Sequence, residues 1–180
     1  MKKLLLHTCC ACCSTEVIER LKKEYDITLF FSNSNIYPIE EYEKRLEEAK
    51  KIAEIMELDL VEDEYLSLEW EMFVGGLENY KKMPEGGRRC ELCFKFNLTR
   101  TAKFAKDFKF DLFTTTLTIS PHKDHEMINK IGEKISKRYN VNFLKSNFKE
   151  NNGFNKSLEH SKKHKLYRQN YCGCKYSKRK

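Results

Sequence analysis

The sequence has no long apolar stretch. A helix that spans a membrane needs about 20 consecutive apolar residues, and no run in the 180 residues approaches that length. A signal peptide needs an apolar region of roughly 7 to 15 residues, whereas only Leu4, Leu5 and Leu6 separate Lys3 from His7. We therefore expect a cytoplasmic protein without a membrane segment, in a compartment where structural disulfides are rare.

Glycine-rich phosphate-binding loops are also missing. The sequence contains neither GxGxxG nor GxxxxGK followed by Ser or Thr, and it has no Ser-Gly-Gly loop. Such loops hold phosphate groups on their backbone N–H groups. The sequence therefore gives little support to nucleotide binding in a loop of this kind.

Cysteine, in contrast, is abundant and clustered. The eight cysteines fall into three tight groups, at residues 9–13, 90–93 and 172–174. Cysteines that only fill a core have no reason to cluster, and in a cytosolic protein such groups are typical of metal binding or catalysis. The three groups therefore predict a metal centre or a redox pair.

The spacing within the groups distinguishes between metals. Structural zinc sites usually take four Cys or His ligands from two separated CxxC-like pairs, and only Cys90 and Cys93 have that form. Adjacent cysteines such as Cys9 and Cys10, together with a CxxC pair, can supply the four thiolates of a 4Fe–4S cluster. An iron–sulfur centre is therefore favoured over zinc.

The third group has a different spacing. Only Gly173 separates Cys172 from Cys174, which is tight for two ligands of one ion. Two such thiols can close into a strained and readily reduced disulfide, as in catalytic pairs. They can also bind a second metal near the cluster, and the spacing alone leaves both interpretations open.

Apolar runs and amphipathic segments alternate along the chain. This alternation is typical of βαβ units and predicts an α/β fold, with a Rossmann-like parallel sheet flanked by helices. In such a sheet the ligand site lies outside the carboxyl ends of the strands, which is where we expect the turn that holds residues 9–13. The predicted strands are 3–7, 27–31, 58–61 and 111–115, and the predicted helices are 14–24, 39–56, 91–108 and 123–139.

Positive charge is concentrated at the C-terminal end. Residues 151–180 contain nine of the 34 lysines and arginines but only one of the 27 acidic residues, so this segment carries the whole positive excess of the chain. We therefore divide the chain into a core, residues 1–150, with the first two cysteine groups, and a basic segment, residues 151–180, with the third. We expect the basic segment to be helical or irregular, to pack on the same domain and to bind a polyanion.

Four ordered motifs together resemble a known family, epoxyqueuosine reductase of the QueH type. They are His7-Thr8-Cys9-Cys10-Ala11-x-Cys13, Arg89-Cys90-x-x-Cys93, Thr115-Thr116-Leu117 with Ser120-Pro121, and Tyr167-Arg168-Gln169-x-Tyr171-Cys172-Gly173-Cys174. The resemblance covers essentially the whole chain. It implies a nucleotide-hydrolase-like core and a cobalamin-independent, metal-dependent reduction of epoxyqueuosine to queuosine in transfer RNA, the last step of queuosine biosynthesis.

The resemblance also implies roles for single residues. Cys9, Cys10, Cys90 and Cys93 would hold a 4Fe–4S cluster, and Cys172 and Cys174 would form a redox-active pair. Cys13 would lie close to the cluster or would hold one additional iron together with Cys172 and Cys174. The implied partners are the anticodon loop of a transfer RNA that carries epoxyqueuosine and an unidentified electron donor.

The chain departs from the family pattern at two positions. The family usually has proline where Cys12 stands, so we expect Cys12 to lie outside the ligand set. Many members have arginine where this chain has Asn97, and Arg88, Arg89 or Arg100 would have to compensate for its absence.

Two other functions are compatible with the same residues. A zinc-stabilised or iron–sulfur RNA-binding module would use the thiols structurally. A different enzyme that modifies transfer RNA, such as a sulfur-transfer enzyme, would share the core and the basic segment, but it should need an ATP-binding loop to activate the base.

Overall fold

The structure is a computed structural model that describes residues 1–178. Its centre is a sheet of five strands in the order β3-β2-β1-β4-β5, and all four neighbouring pairs are parallel. This architecture confirms the predicted α/β class with a parallel sheet. The strands are β1 (Lys2–His7), β2 (Tyr25–Phe31), β3 (Asp59–Glu62), β4 (Leu112–Thr115) and β5 (Asn142–Phe143).

Six α-helices surround the sheet. They are α1 (Ala11–Leu21), α2 (Ile39–Ile55), α3 (Ser67–Gly75), α4 (Arg88–Asp107), α5 (His125–Tyr139) and α6 (Gly153–Lys163), and short 3₁₀ turns cover Tyr80–Lys82 and Thr116–Ile119. No helix within residues 1–178 has both the length and the apolar character that a membrane crossing requires.

The core lies on both faces of the sheet because successive side chains of a strand point to opposite faces. Leu4 and Leu6 of β1 pack with Val17 of α1 and Ile52 of α2. Leu5, between them, packs on the other face, with residues of α4 and α5 such as Leu98 and Ile131. The sheet therefore holds α1 and α4, the two helices that carry cysteines, at fixed positions on its opposite faces.

Two helices begin three residues earlier than the sequence predicts. Helix α1 starts at Ala11, so Cys12 and Cys13 lie in its first turn rather than in the preceding loop. Cys10 is the N-cap, and its Sγ accepts a hydrogen bond from the backbone N–H of Cys13 at 3.4 Å. Helix α4 starts at Arg88, so both Cys90 and Cys93 are helical and lie on one face.

Three elements were outside the predicted set, two of them for a local reason. Strand β5 has only two residues, too few for an alternating pattern. Helix α3 exposes Leu68 and Met72 while it buries Trp70 and Val74, so it has no single apolar stripe. Helix α6 lies in the segment that we expected to be helical or irregular.

Helix α6 packs against α1, and the chain then continues without regular structure. We call residues 164–178 the C-terminal strap, because they pass over the carboxyl end of the sheet and bring the third cysteine group to the other two. The division into a core of residues 1–150 and a basic segment of residues 151–180 stays a prediction. Arg179 and Lys180 of that segment lie outside the described residues.

Candidate metal centre

The first cysteine group lies at the carboxyl end of β1. The Sγ atoms of Cys9, Cys10 and Cys13 lie within 4.8 Å of one another, the only such group of potential metal ligands in the part of the chain that the structure describes. The Thr116 hydroxyl, at the end of β4, donates to Cys9 Sγ at 3.4 Å and accepts from the Cys9 backbone N–H at 3.2 Å. The neighbouring strand therefore holds this group in place.

The strand ends are joined by a buried histidine. His7 Nδ1 lies 2.8 Å from the Thr115 hydroxyl of β4, and Nε2 lies 3.1 Å from the carbonyl oxygen of Ser32, just after β2. Burial lowers the pKa of the imidazole, which favours the neutral ring with one N–H donor. His7 therefore links the ends of three strands, two residues before the first cysteine of the group.

The three thiols of this group differ in the direction of their pKa shifts. Hydrogen bonds from Cys13 and Cys9 hold the pKa of Cys10 well below its usual value. The same contacts raise the pKa of Cys13 well above its usual value, and donation to Cys10 raises that of Cys9. Among the three, Cys10 is therefore the thiol that most readily becomes a thiolate.

The other cysteine groups reach the same region from α4 and the strap. A cavity of about 270 Å³ is lined by Cys9, Cys13, Cys93 and Cys172. Cys90 lines a smaller adjoining cavity, of about 100 Å³, together with Cys172. Burial raises the pKa of Cys93 well above its usual value. All three groups therefore meet at these cavities, although Cys90 and Cys93 are not members of the close group formed by Cys9, Cys10 and Cys13.

A buried arginine holds the third group in place. Arg45 of α2 donates from Nη1 to the carbonyl oxygen of Cys172 at 2.9 Å and from Nη2 to that of Tyr171 at 3.2 Å. Its Nε pairs with Glu41 Oε1 at 2.7 Å. Gly173 has a φ of +138°, and a Cβ there would lie 3.1 Å from Arg45 Nη1. A residue with a side chain would therefore be strained at this position.

The two cysteines of the strap have different surroundings. Cys172 lines both cavities, whereas Cys174 is buried against Trp70 and Val74 of α3. All eight cysteines, which lie within the described residues, are free thiols. Their role as a redox-active pair stays a prediction.

Cys12 lies outside the close group, although it also lines the main cavity. Its Sγ donates to the carbonyl oxygen of Tyr167 at 3.1 Å, so it ties α1 to the strap. This contact agrees with the expectation that Cys12 is not a metal ligand, and it gives the thiol a structural role.

The cavity also holds polar side chains that the cysteine pattern does not predict. Asn33 and Asn35 follow β2, Asn97 lies one turn after Cys93 on α4, and Lys123 precedes α5. Burial opposes the charge on Lys123, but the nearby thiols, Cys172 and Cys9 foremost, raise its pKa overall. The position of Asn33 and Asn35 after a parallel strand was a usable signal, since ligand sites form at that edge.

Three arginines were expected to compensate for Asn97. Arg88 is exposed, Arg89 Nη1 donates to the carbonyl oxygens of Tyr80 and Met83, and Arg100 pairs with Asp63 at 2.5 Å. None of the three lines the main cavity, whereas Arg45 and Arg168 do. The guanidinium groups at the cavity therefore come from α2 and the strap.

The donor set suits a thiophilic metal. Thiolates are soft ligands that select zinc, copper(I) or iron–sulfur clusters. Cys9, Cys10 and Cys13 can hold a metal, and Cys93 and Cys172 are available at the same cavity for further bonds. The residues present therefore fit a cysteine-bound metal centre.

Comparisons with known proteins agree with this geometry. A curated relative from Streptococcus pyogenes serotype M1, named epoxyqueuosine reductase QueH, is 41% identical over 97% of this chain and 69% of its own length. A relative of the same name from Thermotoga maritima is 38% identical over 98% of this chain and 91% of its own.

A solved structure resembles the fold as well. The predicted subunit of a tRNA methyltransferase from Methanocaldococcus jannaschii aligns with a TM-score of 0.50 at 14% identity, over 87% of this chain and 74% of its own. This likeness concerns the fold alone. The family model described as epoxyqueuosine reductase QueH matches residues 4–180, and the chain therefore belongs to the epoxyqueuosine reductase QueH family.

Proposed function

We propose that this protein reduces epoxyqueuosine to queuosine in transfer RNA, in the cytoplasm. The observation that carries the proposal is the match of residues 4–180 to the family, in a chain whose three cysteine groups border adjoining cavities. The relatives are named for this reaction.

The reaction removes the epoxide oxygen. Both C–O bonds of the epoxide break, a carbon–carbon double bond forms in the cyclopentane ring, and the oxygen leaves as water. This change consumes two electrons and two protons. Two thiols that close into a disulfide release the same number of each, so a pair formed by Cys172 and Cys174 would balance one turnover. An external electron donor would then reduce the pair.

The metal in this proposal is a 4Fe–4S cluster on Cys9, Cys10, Cys90 and Cys93. Bound there, it would supply electrons one at a time. Cys13 would lie beside it or hold one additional iron with Cys172 and Cys174. The protein contributes the remaining parts of the site: Arg45 positions Cys172, and Lys123 keeps a positive charge near the thiols.

The basic segment would bind the RNA backbone. Lys162, Lys163 and Lys165 are exposed, and Arg168 lines the cavity. Lysines and arginines that contact phosphates give affinity without sequence specificity. Bases in single-stranded loops can be splayed out and read individually, so a bound anticodon loop would extend its modified base from this surface towards the thiols.

The test is conversion of the substrate. Protein reconstituted with iron and sulfide under anaerobic conditions, and supplied with a reductant, should convert epoxyqueuosine to queuosine in transfer RNA. Mass spectrometry of the digested nucleosides would show the loss of one oxygen atom. An intact cluster without conversion would reject the proposal, and zinc without iron in an anaerobic preparation would favour the structural RNA-binding alternative.

We expect Cys172→Ser to separate metal binding from turnover. The variant should keep the iron content of the wild-type protein, because Cys172 lies outside the proposed cluster ligands, and it should lose turnover, because one thiol of the pair is gone. Iron and sulfide counts, together with the conversion assay, measure both. Loss of iron would instead make Cys172 a metal ligand.

A further inference from the structure

One buried oxygen atom at the cavity has no partner. The side chain of Asn97 is 3% exposed and lines the main cavity. Its Nδ2 donates to Asn35 Oδ1 at 3.0 Å, but its Oδ1 is buried without a hydrogen bond among the described residues. Buried acceptors are normally paired, because an unpaired one keeps the full cost of losing its water.

The Asn97 amide turns its donor towards its neighbour, Asn35. The observed orientation gives Asn97 one good donor contact and leaves Oδ1 free. The unpaired atom is therefore an acceptor, and its natural partner is an N–H or O–H group of a molecule in the cavity.

Asn97 also lies beside the thiols at which the reaction is proposed. Its Nδ2 is 4.0 Å from Cys93 Sγ, and Cys9, Cys13 and Cys172 line the same cavity. A substrate that brings its epoxide to these thiols brings the adjoining part of its side arm next to Asn97. In epoxyqueuosine that part is a secondary amine, which joins the cyclopentane ring to the methylene group on the 7-deazaguanine.

We propose that Asn97 Oδ1 accepts a hydrogen bond from this secondary amine and so selects the substrate. The inference rests on the function proposed above. A dialkylamine is protonated near neutral pH, and a bond from a charged N–H is roughly twice as strong as one between neutral groups.

The test compares three anticodon stem-loop RNAs that differ only at the modified base. One carries epoxyqueuosine, the second carries 7-aminomethyl-7-deazaguanine, which has the amine but no cyclopentane ring, and the third carries guanine. Dissociation constants are measured by fluorescence anisotropy with metal-loaded protein under anaerobic conditions. The wild-type protein should bind the two RNAs that contain an amine more tightly than the guanine RNA.

One substitution isolates the oxygen. Asn97→Leu has nearly the same shape but no acceptor, and it should weaken binding of both amine-containing RNAs by about tenfold or more, with binding of the guanine RNA unchanged. In turnover, Asn97→Leu should raise KM more than it lowers kcat.

Several results would overturn the inference. Asn97→Leu could bind all three RNAs with the affinity of the wild type. It could also weaken the binding of all three equally, as a structural defect would. Weaker binding of the epoxyqueuosine RNA alone would assign the contact to a ring hydroxyl. If Asn97→Leu does not fold, equal affinity of the wild type for the guanine RNA and the aminomethyl RNA would also overturn it. Failure of the wild type to convert epoxyqueuosine would instead reject the proposed function.

Discussion

Replacement of Cys9 by alanine is expected to remove the metal and to lower turnover by at least about 100-fold, since even residues that only support metal ligands cost 10- to 100-fold when they are changed. Cys9 belongs both to the ligand set implied by the family and to the close group of three thiols. Its thiol is not a helix cap, so the fold should survive. Iron and sulfide counts on anaerobic protein, with the conversion assay, measure both effects.

The chain offers a matched control for this prediction. Cys12 lies three residues further along the chain, in the first turn of α1, and its thiol donates to the carbonyl oxygen of Tyr167. Cys12→Ser keeps a donor at that position, so iron content and turnover should match those of the wild type. Full iron content in Cys9→Ala, or loss of iron in Cys12→Ser, would contradict the assignment of these two cysteines.

We expect Arg45→Met to lower the free energy of unfolding by roughly 3–5 kcal/mol, because breaking a buried ion pair leaves an uncompensated charge. The Arg45 side chain is 2% exposed and that of its partner Glu41 is 12% exposed. The substitution also removes both hydrogen bonds that hold the carbonyl oxygens of Tyr171 and Cys172. The strap should therefore detach, and turnover should fall with it.

Denaturant unfolding and the rate of thiol alkylation measure these two effects separately. Cys174, which is buried in the wild type, should react faster with an alkylating reagent in Arg45→Met. The double variant Arg45→Met/Glu41→Gln should recover part of the lost stability, because it removes the unpaired carboxylate. Lys50→Met is a control on the same helix: its pairs with Glu47 and Glu62 are exposed, and their loss should cost no more than about 1 kcal/mol.

An unfolding free energy for Arg45→Met within about 1 kcal/mol of the wild type would contradict the role assigned to this ion pair. Unchanged alkylation of Cys174 in a variant with lowered stability would show that the strap stays docked. In that case Arg45 would stabilise α2 without positioning the third cysteine group.

The starts of the two cysteine-bearing helices show how accurately local apolar patterns predict helix bounds. Apolar spacing predicts α1 and α4 but places their first residues three positions too late. The reason is that residues 11–13 and 88–90 have no apolar periodicity, although they are helical. At the start of α1 the Cys10 side chain caps the helix, and at the start of α4 the backbone N–H of Gly86 donates to Cys90 Sγ.

The residues that surround the cysteines show which contacts local sequence patterns do not predict. Arg45 lies 127 positions before Cys172, and Asn35 lies 62 positions before Asn97. Neither pair has a spacing or a motif that relates its members. An arginine and a glutamate four residues apart on a helix also normally form a solvent-exposed pair, so the sequence around Arg45 predicts a surface residue rather than a buried one.

The sequence by itself determined the α/β class, the order of the principal strands and helices, and the three groups of thiols, because strand and helix periodicity and cysteine spacing are local properties. Family membership followed from the same motifs. Only the tertiary structure decided that Cys13 joins Cys9 and Cys10 and that Arg45 holds the strap. It alone also shows that Asn97 lines the cavity and has a buried oxygen without a partner among the described residues. These contacts depend on strand order and on the path of the strap, which bring distant segments together at one edge of the sheet.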